Sequence, residues 1–190
     1  MTARRILRAL APLLAAAMLL STTVAAHAEP LEDYASYAPE SRCSPRAKPG
    51  TAFLGHWIVT TYGGGFGRIG EHCDAGTSEH QEGRAFDWMV SAASRTGRRA
   101  VDRFFDRILA DRGDESDVWA RRMGIMYLIW DDHMYAAWDG FEPKPYLSSS
   151  CPSRKKCSAT LRHRNHVHMS LSRRAGFGLT SWFVDRLVRP

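Results

Sequence analysis

Two short clusters concentrate the side chains that could do chemistry. Residues 78–87 read Ser-Glu-His-Gln-Glu-Gly-Arg-Ala-Phe-Asp, setting His80 and Asp87 seven positions apart. Residues 163–168 read His-Arg-Asn-His-Val-His, so that His163, His166 and His168 crowd together while the other histidines are scattered. On a strand His166 and His168 share a face, because side chains alternate with period two. Two imidazoles and one carboxylate make a three-ligand zinc site whose fourth position stays open, and that open position separates a catalytic site from a structural one. A His-x-His pair alone is more often a surface pair or a satisfied core pair. Its occurrence together with His80 and Asp87, at two places that read as strand, carries more weight.

The positioning falls to a mixture of helices and short strands. Leu54, Trp57, Ile58 and Thr61 have helical spacing over 51–62, and Gly63-Gly64-Gly65 ends that helix. Residues 66–82, rich in Gly and polar types, read as a long loop that brings His80; the apolar run 85–90 reads as a strand carrying Asp87. Val101, Phe104, Phe105, Ile108 and Leu109 predict a helix over 94–111, followed by a shorter one over 116–123. The continuous β-prone run 124–130 predicts a buried strand, Asp131-Asp132 a turn, and 133–138 its hairpin partner. Residues 139–162 read as loop, 166–171 as strand, and Ser181 as the cap of a last helix through 187. Pro30, Pro39, Pro45 and Pro49 make 29–50 an irregular arm. With no internal repeat and no long linker, 51–190 reads as one α+β domain: a small antiparallel sheet carrying the metal site, flanked by helices. Trp88, Tyr127, Trp130, Tyr135 and Trp138 lie on the inferred strands and are expected mostly in the core, with one or two facing a cleft.

The chain's start bears on its compartment. Arg4, Arg5 and Arg8 precede an apolar run over 10–20, and Ala26-His27-Ala28 follows, the pattern of a secretory signal peptide over 1–28. The run is too short to cross roughly 30 Å of hydrocarbon. Net charge is +6 over 190 residues, from 26 bases and 20 acids; without the three leader arginines, 23 bases face 20 acids. Much of the basicity therefore belongs to targeting, and a nucleic-acid partner is not expected. In an oxidising compartment Cys43, Cys73, Cys151 and Cys157 are expected to form two disulfides. Three pairings are possible. The six-residue spacing of Cys151 and Cys157 favours a local staple, with Cys43 clipping the arm to Cys73. A four-cysteine zinc site would call for paired C-x2-C knuckles, which this sequence lacks.

Ser78-x-His80-x-x-Gly83-x-Ala85-x-Asp87 followed by His166-x-His168 resembles the signature of the zinc peptidases that group D-Ala-D-Ala carboxypeptidases, lysostaphin-type endopeptidases and the hedgehog fold. The wider chain is similar to secreted bacterial proteins related to the D-alanyl-D-alanine carboxypeptidases, through residues 83–88, 120–127 and 163–170. The resemblance implies that His80, Asp87 and His168 hold one zinc ion (Zn2+). It implies a general-base or intermediate-stabilising role for His166, and makes His163 a further active-site histidine. One branch of the superfamily uses a Glu three residues before the final ligand; Asn165 stands there, and its amide cannot take a proton. Arg84 is expected to share oxyanion stabilisation, Arg68 to bind a substrate carboxylate, and Ser78 to touch substrate or set the loop.

The function these readings imply is that of a secreted, cell-wall-associated zinc peptidase. It would be a monomer cutting peptidoglycan stem peptides or cross-links as a carboxypeptidase or endopeptidase, with no stable membrane insertion after leader cleavage. The alternative is a non-catalytic, zinc-containing module that binds cell wall or an extracellular partner.

Overall fold

The computed structural model describes residues 30–74 and 78–187, so the signal-peptide reading of 1–28 lies outside the described residues. Six strands form a single sheet: β1 (Gly65–Phe66), β2 (Ala85–Met89), β3 (Ile125–Trp130), β4 (His133–Ala136), β5 (Pro143–Pro145) and β6 (Val167–Leu171). Their order is β1-β2-β6-β3-β4-β5, and every pairing is antiparallel. The last strand in sequence thus lies between β2 and β3.

Alternation along these strands divides the sheet into two faces. Phe86, Trp88, Leu128, Val167, Met169 and Leu171 are buried in the main core. Against this face pack α1 (Pro49–Tyr62), which buries Leu54 and Ile58, and α2 (Arg95–Ile108), which buries Val101, Phe104 and Ile108. Ser94 caps α2 by accepting a hydrogen bond from the Gly97 amide at 3.3 Å. The shorter helices α3 (Val118–Arg122), α4 (Arg173–Gly176) and α5 (Ser181–Leu187) close the edges of this layer. The opposite face carries Asp87, His168, Ser170, Tyr127 and Ile129, as the register of β2, β6 and β3 requires.

The N-terminal arm is irregular, as its prolines predict, but it is docked. The Ser44 amide donates to Gln81 O at 2.6 Å, the Lys48 amide to Gly83 O at 3.0 Å, and Ala35 and Ala38 pack against Met126, Tyr127 and Ile129. Cys43–Cys73 ties the arm to the loop before the site, and Cys151–Cys157 closes a six-residue staple, the pairing that the spacing favours.

Several expectations need correction. The segment 66–82 is not all loop: Glu79–Glu82 form a 3-10 turn. Ala137 and Trp138 leave the hairpin strand to enter another 3-10 turn over Ala137–Asp139. Inside 139–162, Pro143–Pro145 pair with β4 at the sheet edge, where prolines lacking an N–H can sit.

Candidate metal centre

The pairing of β2 with β6 sets Asp87 directly opposite His168. Such partners on one face lie close enough for their side chains to meet. His80 arrives from the 3-10 turn before β2. Ser78 starts this turn, its hydroxyl accepting from the His80 amide at 3.3 Å, and Gly83 ends it in the left-handed region at φ 65°. A Cβ at Gly83 would also fall 2.1 Å from the Arg46 carbonyl oxygen, so both backbone conformation and space demand glycine.

The result is a nearly equilateral triangle of donor atoms. His80 Nε2 lies 3.1 Å from Asp87 Oδ1 and 3.1 Å from His168 Nδ1, and His168 Nδ1 lies 3.2 Å from Asp87 Oδ1. All three residues are buried. The outer atoms are held as well. His80 Nδ1 faces the Ile69 carbonyl at 2.8 Å, so this nitrogen carries a proton and Nε2 is turned inward. His168 Nε2 bonds Ser170 Oγ at 2.9 Å, and its ring stacks on Tyr127. The Tyr127 hydroxyl in turn donates to Glu79 at 2.5 Å.

The electrostatics suit a cation. Burial alone would raise the Asp87 carboxyl, but hydrogen bonds to His168 and His80, with their charge, hold it well below the usual carboxylate range. Burial lowers His168 and favours its neutral ring. Two imidazole nitrogens and a carboxylate oxygen thus converge to 3.1–3.2 Å of one another, a spacing that protons shared among them or a cation at their centre would satisfy. Four ligands at about 2.0–2.1 Å from a tetrahedral zinc stand roughly 3.3 Å apart. Donor types and spacing thus fit such an ion, and His80, Asp87 and His168 are the group that could hold it.

Two further histidines flank the triangle. His166 Nε2 is 3.6 Å from Asp87 Oδ1, while its Nδ1 faces Asn165 Oδ1 at 2.8 Å. Asn165 is anchored in turn through Nδ2 to Thr160 Oγ1 at 2.9 Å. With that amide orientation Nδ1 of His166 carries the proton and Nε2 is left bare. Burial lowers His166, and it lowers His163 to about 3 with help from the neighbouring charges of His168 and His166. The His163 ring centroid lies 4.8 Å from that of His166 and 5.7 Å from that of His168.

Arg68 stands at the mouth, half exposed, with Nε 3.3 Å from Asp87 Oδ2 and a second ion pair to Glu71. Arg84 does not take the role expected of it. Its guanidinium is buried behind the 3-10 turn that carries His80 and bonded to Glu82, Ala38 O and Leu171 O, so it holds the arm and β6 rather than facing a substrate. Ser78 acts as the cap of the turn. Asp131 and Asp132 form the β3–β4 turn, both at positive φ, and are taken by arginines: Asp131 by Arg98 and Arg164, Asp132 by Arg162 through two bonds of 2.8 and 2.7 Å. Together with the Asp131 amide bonded to His163 O at 2.9 Å, they pin the histidine segment to the sheet.

Sequence reasoning missed the part played by Asn165, by Ser170, and by this aspartate–arginine clasp. The alternation of Arg162 and Arg164 was the sequence signal for the clasp, but their aspartate partners lie 30 and 33 positions earlier. Of the strand aromatics, Trp88 is in the core and Trp138 is exposed. Trp138 joins Tyr37, Tyr127, Met134 and Tyr146 around a cavity of about 250 Å³ on the face that carries the site.

No curated protein and no solved structure matches this chain. Residues 43–151 match the family model described as "VldE, C-terminal domain", a span that contains His80 and Asp87 and ends before β6. As that span is more than half of the 190 residues, the chain belongs to the VldE C-terminal domain family.

Proposed function

We propose that this protein is a zinc-dependent peptidase acting on the peptides of bacterial cell-wall peptidoglycan, outside the cell. The observation that carries the reading is the buried His80–Asp87–His168 triangle with the bare Nε2 of His166 beside it. Bound zinc would supply Lewis acidity, lowering the pKa of a water from about 15.7 to roughly 7 and polarising the scissile carbonyl. Neutral His166 is placed to accept a proton at Nε2, and Asp87 stabilises the imidazolium that results. Asn165 keeps His166 in the tautomer this transfer needs. Neutral His163 packs its ring against His166 and His168, and half-exposed Arg68 beside Asp87 offers a cation to a substrate carboxylate. The aromatic cavity lined by Tyr37, Trp138 and Tyr146 gives flat surfaces on which sugar or peptide can lie. Both disulfides suit an oxidising compartment, and among the described residues no helix is long and apolar enough to cross a membrane.

The test is mass spectrometry of muropeptides released from purified peptidoglycan, with zinc and with a chelator. New peptide termini that vanish with the chelator and in His166→Ala are expected. Retention on insoluble wall without any new terminus would instead favour the non-catalytic wall-binding reading.

A further inference from the structure

A cavity of about 210 Å³ lies behind the 3-10 turn that carries His80, at the N-terminal end of α1. Its walls include Arg42, Lys48, Arg84, Arg173 and Glu82, with Phe177 as an exposed apolar side. Glu82 is the acidic member, and both its oxygens are occupied. Oε2 accepts from Arg84 Nε at 2.5 Å; Oε1 accepts from the Ser41 amide at 3.1 Å, the Ser41 hydroxyl at 3.2 Å and Arg173 at 3.2 Å. Arg84 also lies 3.7 Å from Glu79, so two arginines stand against two carboxylates.

Two cations remain unmatched. Lys48 Nζ donates to Ser44 O at 3.2 Å and to Ser44 Oγ at 2.8 Å, both neutral, and lies 5.7 Å from the Phe177 ring centroid. Arg42 is exposed and has no carboxylate partner among the described residues. Lys48 is also the N-cap of the 14-residue α1, whose first turn holds no acid. The positive end of the helix therefore adds to the same side of the cavity. Two cations without a carboxylate partner, a polar pocket and an aromatic wall are complementary to a small molecule with one anionic group and a flat apolar part.

We propose that this cavity is a second binding site, separate from the metal centre, for the phosphate or carboxylate group of a small organic anion whose apolar part lies on Phe177. Arg42 and Lys48 are its principal anion ligands, while Arg84 and Arg173 hold the wall through Glu82.

Isothermal titration calorimetry on chelator-treated protein at low salt tests this with three probes: inorganic phosphate, phenyl phosphate and benzoate. One-to-one binding of at least one probe is expected, with phenyl phosphate tighter than inorganic phosphate because its ring lies on Phe177; phenyl phosphate no tighter than inorganic phosphate would overturn the part given to Phe177. A stronger phosphate arm assigns the site to phosphate esters, and a stronger benzoate arm to carboxylates. Arg42→Ala and Lys48→Gln should each weaken binding about tenfold, the effect of losing one charge-assisted hydrogen bond, whereas His168→Ala should bind like wild type. Arg42 is exposed, so Arg42→Ala is expected to keep the wild-type melting temperature even if Lys48→Gln loosens α1. No saturable binding of any probe, equal binding by Arg42→Ala, or loss of binding in His168→Ala would overturn the proposal. The measurement needs neither bound metal nor hydrolysis, so its failure is distinct from failure of the peptidase reading.

Discussion

Replacing Glu82 by Gln should destabilise the fold strongly at neutral pH and progressively less in acid. The residue is only 5% exposed, and it neutralises Arg84, which is only 2% exposed. Burial alone would raise its carboxyl, but the hydrogen bonds from Arg84, the Ser41 amide and Arg173 outweigh this and lower it from 4.5 to about 2. A depression of that size corresponds to about 3 kcal/mol of stability at neutral pH. Removing one partner of a buried ion pair costs about 3–5 kcal/mol, a consistent figure, because Arg84 would keep a single carboxylate partner, Glu79, at 3.7 Å beside its two backbone carbonyls. The sign follows from the direction of the shift. The folded carboxyl is the more acidic, so its contribution is whole above the unfolded value of 4.5, declines as pH falls toward about 2, and is gone below that. Urea unfolding of wild type and Glu82→Gln at neutral pH and at about pH 3 measures the difference directly. A gap of about 3 kcal/mol that narrows in acid is expected. A gap below about 1 kcal/mol, or one that does not change with pH, would refute the view that Glu82 anchors Arg84 and the arm.

Other substitutions separate the parts of the site. Gly83→Ala forces a left-handed residue, costing roughly 1–2 kcal/mol, and drives a Cβ against Arg46 O; a lowered melting temperature together with reduced zinc content is expected. Ser94→Ala removes the α2 cap and should cost about 1 kcal/mol in urea unfolding while leaving zinc content unchanged, since the cap lies outside the donor triangle. Asp132→Asn loosens the two bonds to Arg162 and should lower the rate of muropeptide release several-fold without loss of zinc, read by comparing initial rates with metal content.

The elements legible in the sequence were those with strong local periodicity. The Val101–Phe104–Ile108 stripe gave α2 to within a few residues, and the unbroken apolar run of β3 marked a strand buried along its whole length. The pieces that escaped have little local signal. β1 is two residues long, and β5 is a Pro-Lys-Pro segment held only by its neighbour β4. The 3-10 turn of Glu79–Glu82 rests on a Ser cap and a left-handed Gly rather than on apolar spacing.

The donor set followed from the spacing of two motifs and a family resemblance, but its geometry did not. That Asp87 faces His168 depends on the β2–β6 register, a long-range pairing across 81 positions. Arg84 misled because a guanidinium within a site motif looks the same in sequence whether it is buried on Glu82 or turned toward a substrate. Asn165 looked like a missing base, whereas its amide orients the neighbouring imidazole.

Native mass spectrometry of the purified protein after zinc loading and dialysis tests the central claim most directly. One zinc ion per chain is predicted for wild type and for His166→Ala, and none for folded His80→Ala, Asp87→Ala or His168→Ala. Wild type without retained zinc, or His168→Ala with a full equivalent of it, would contradict the account.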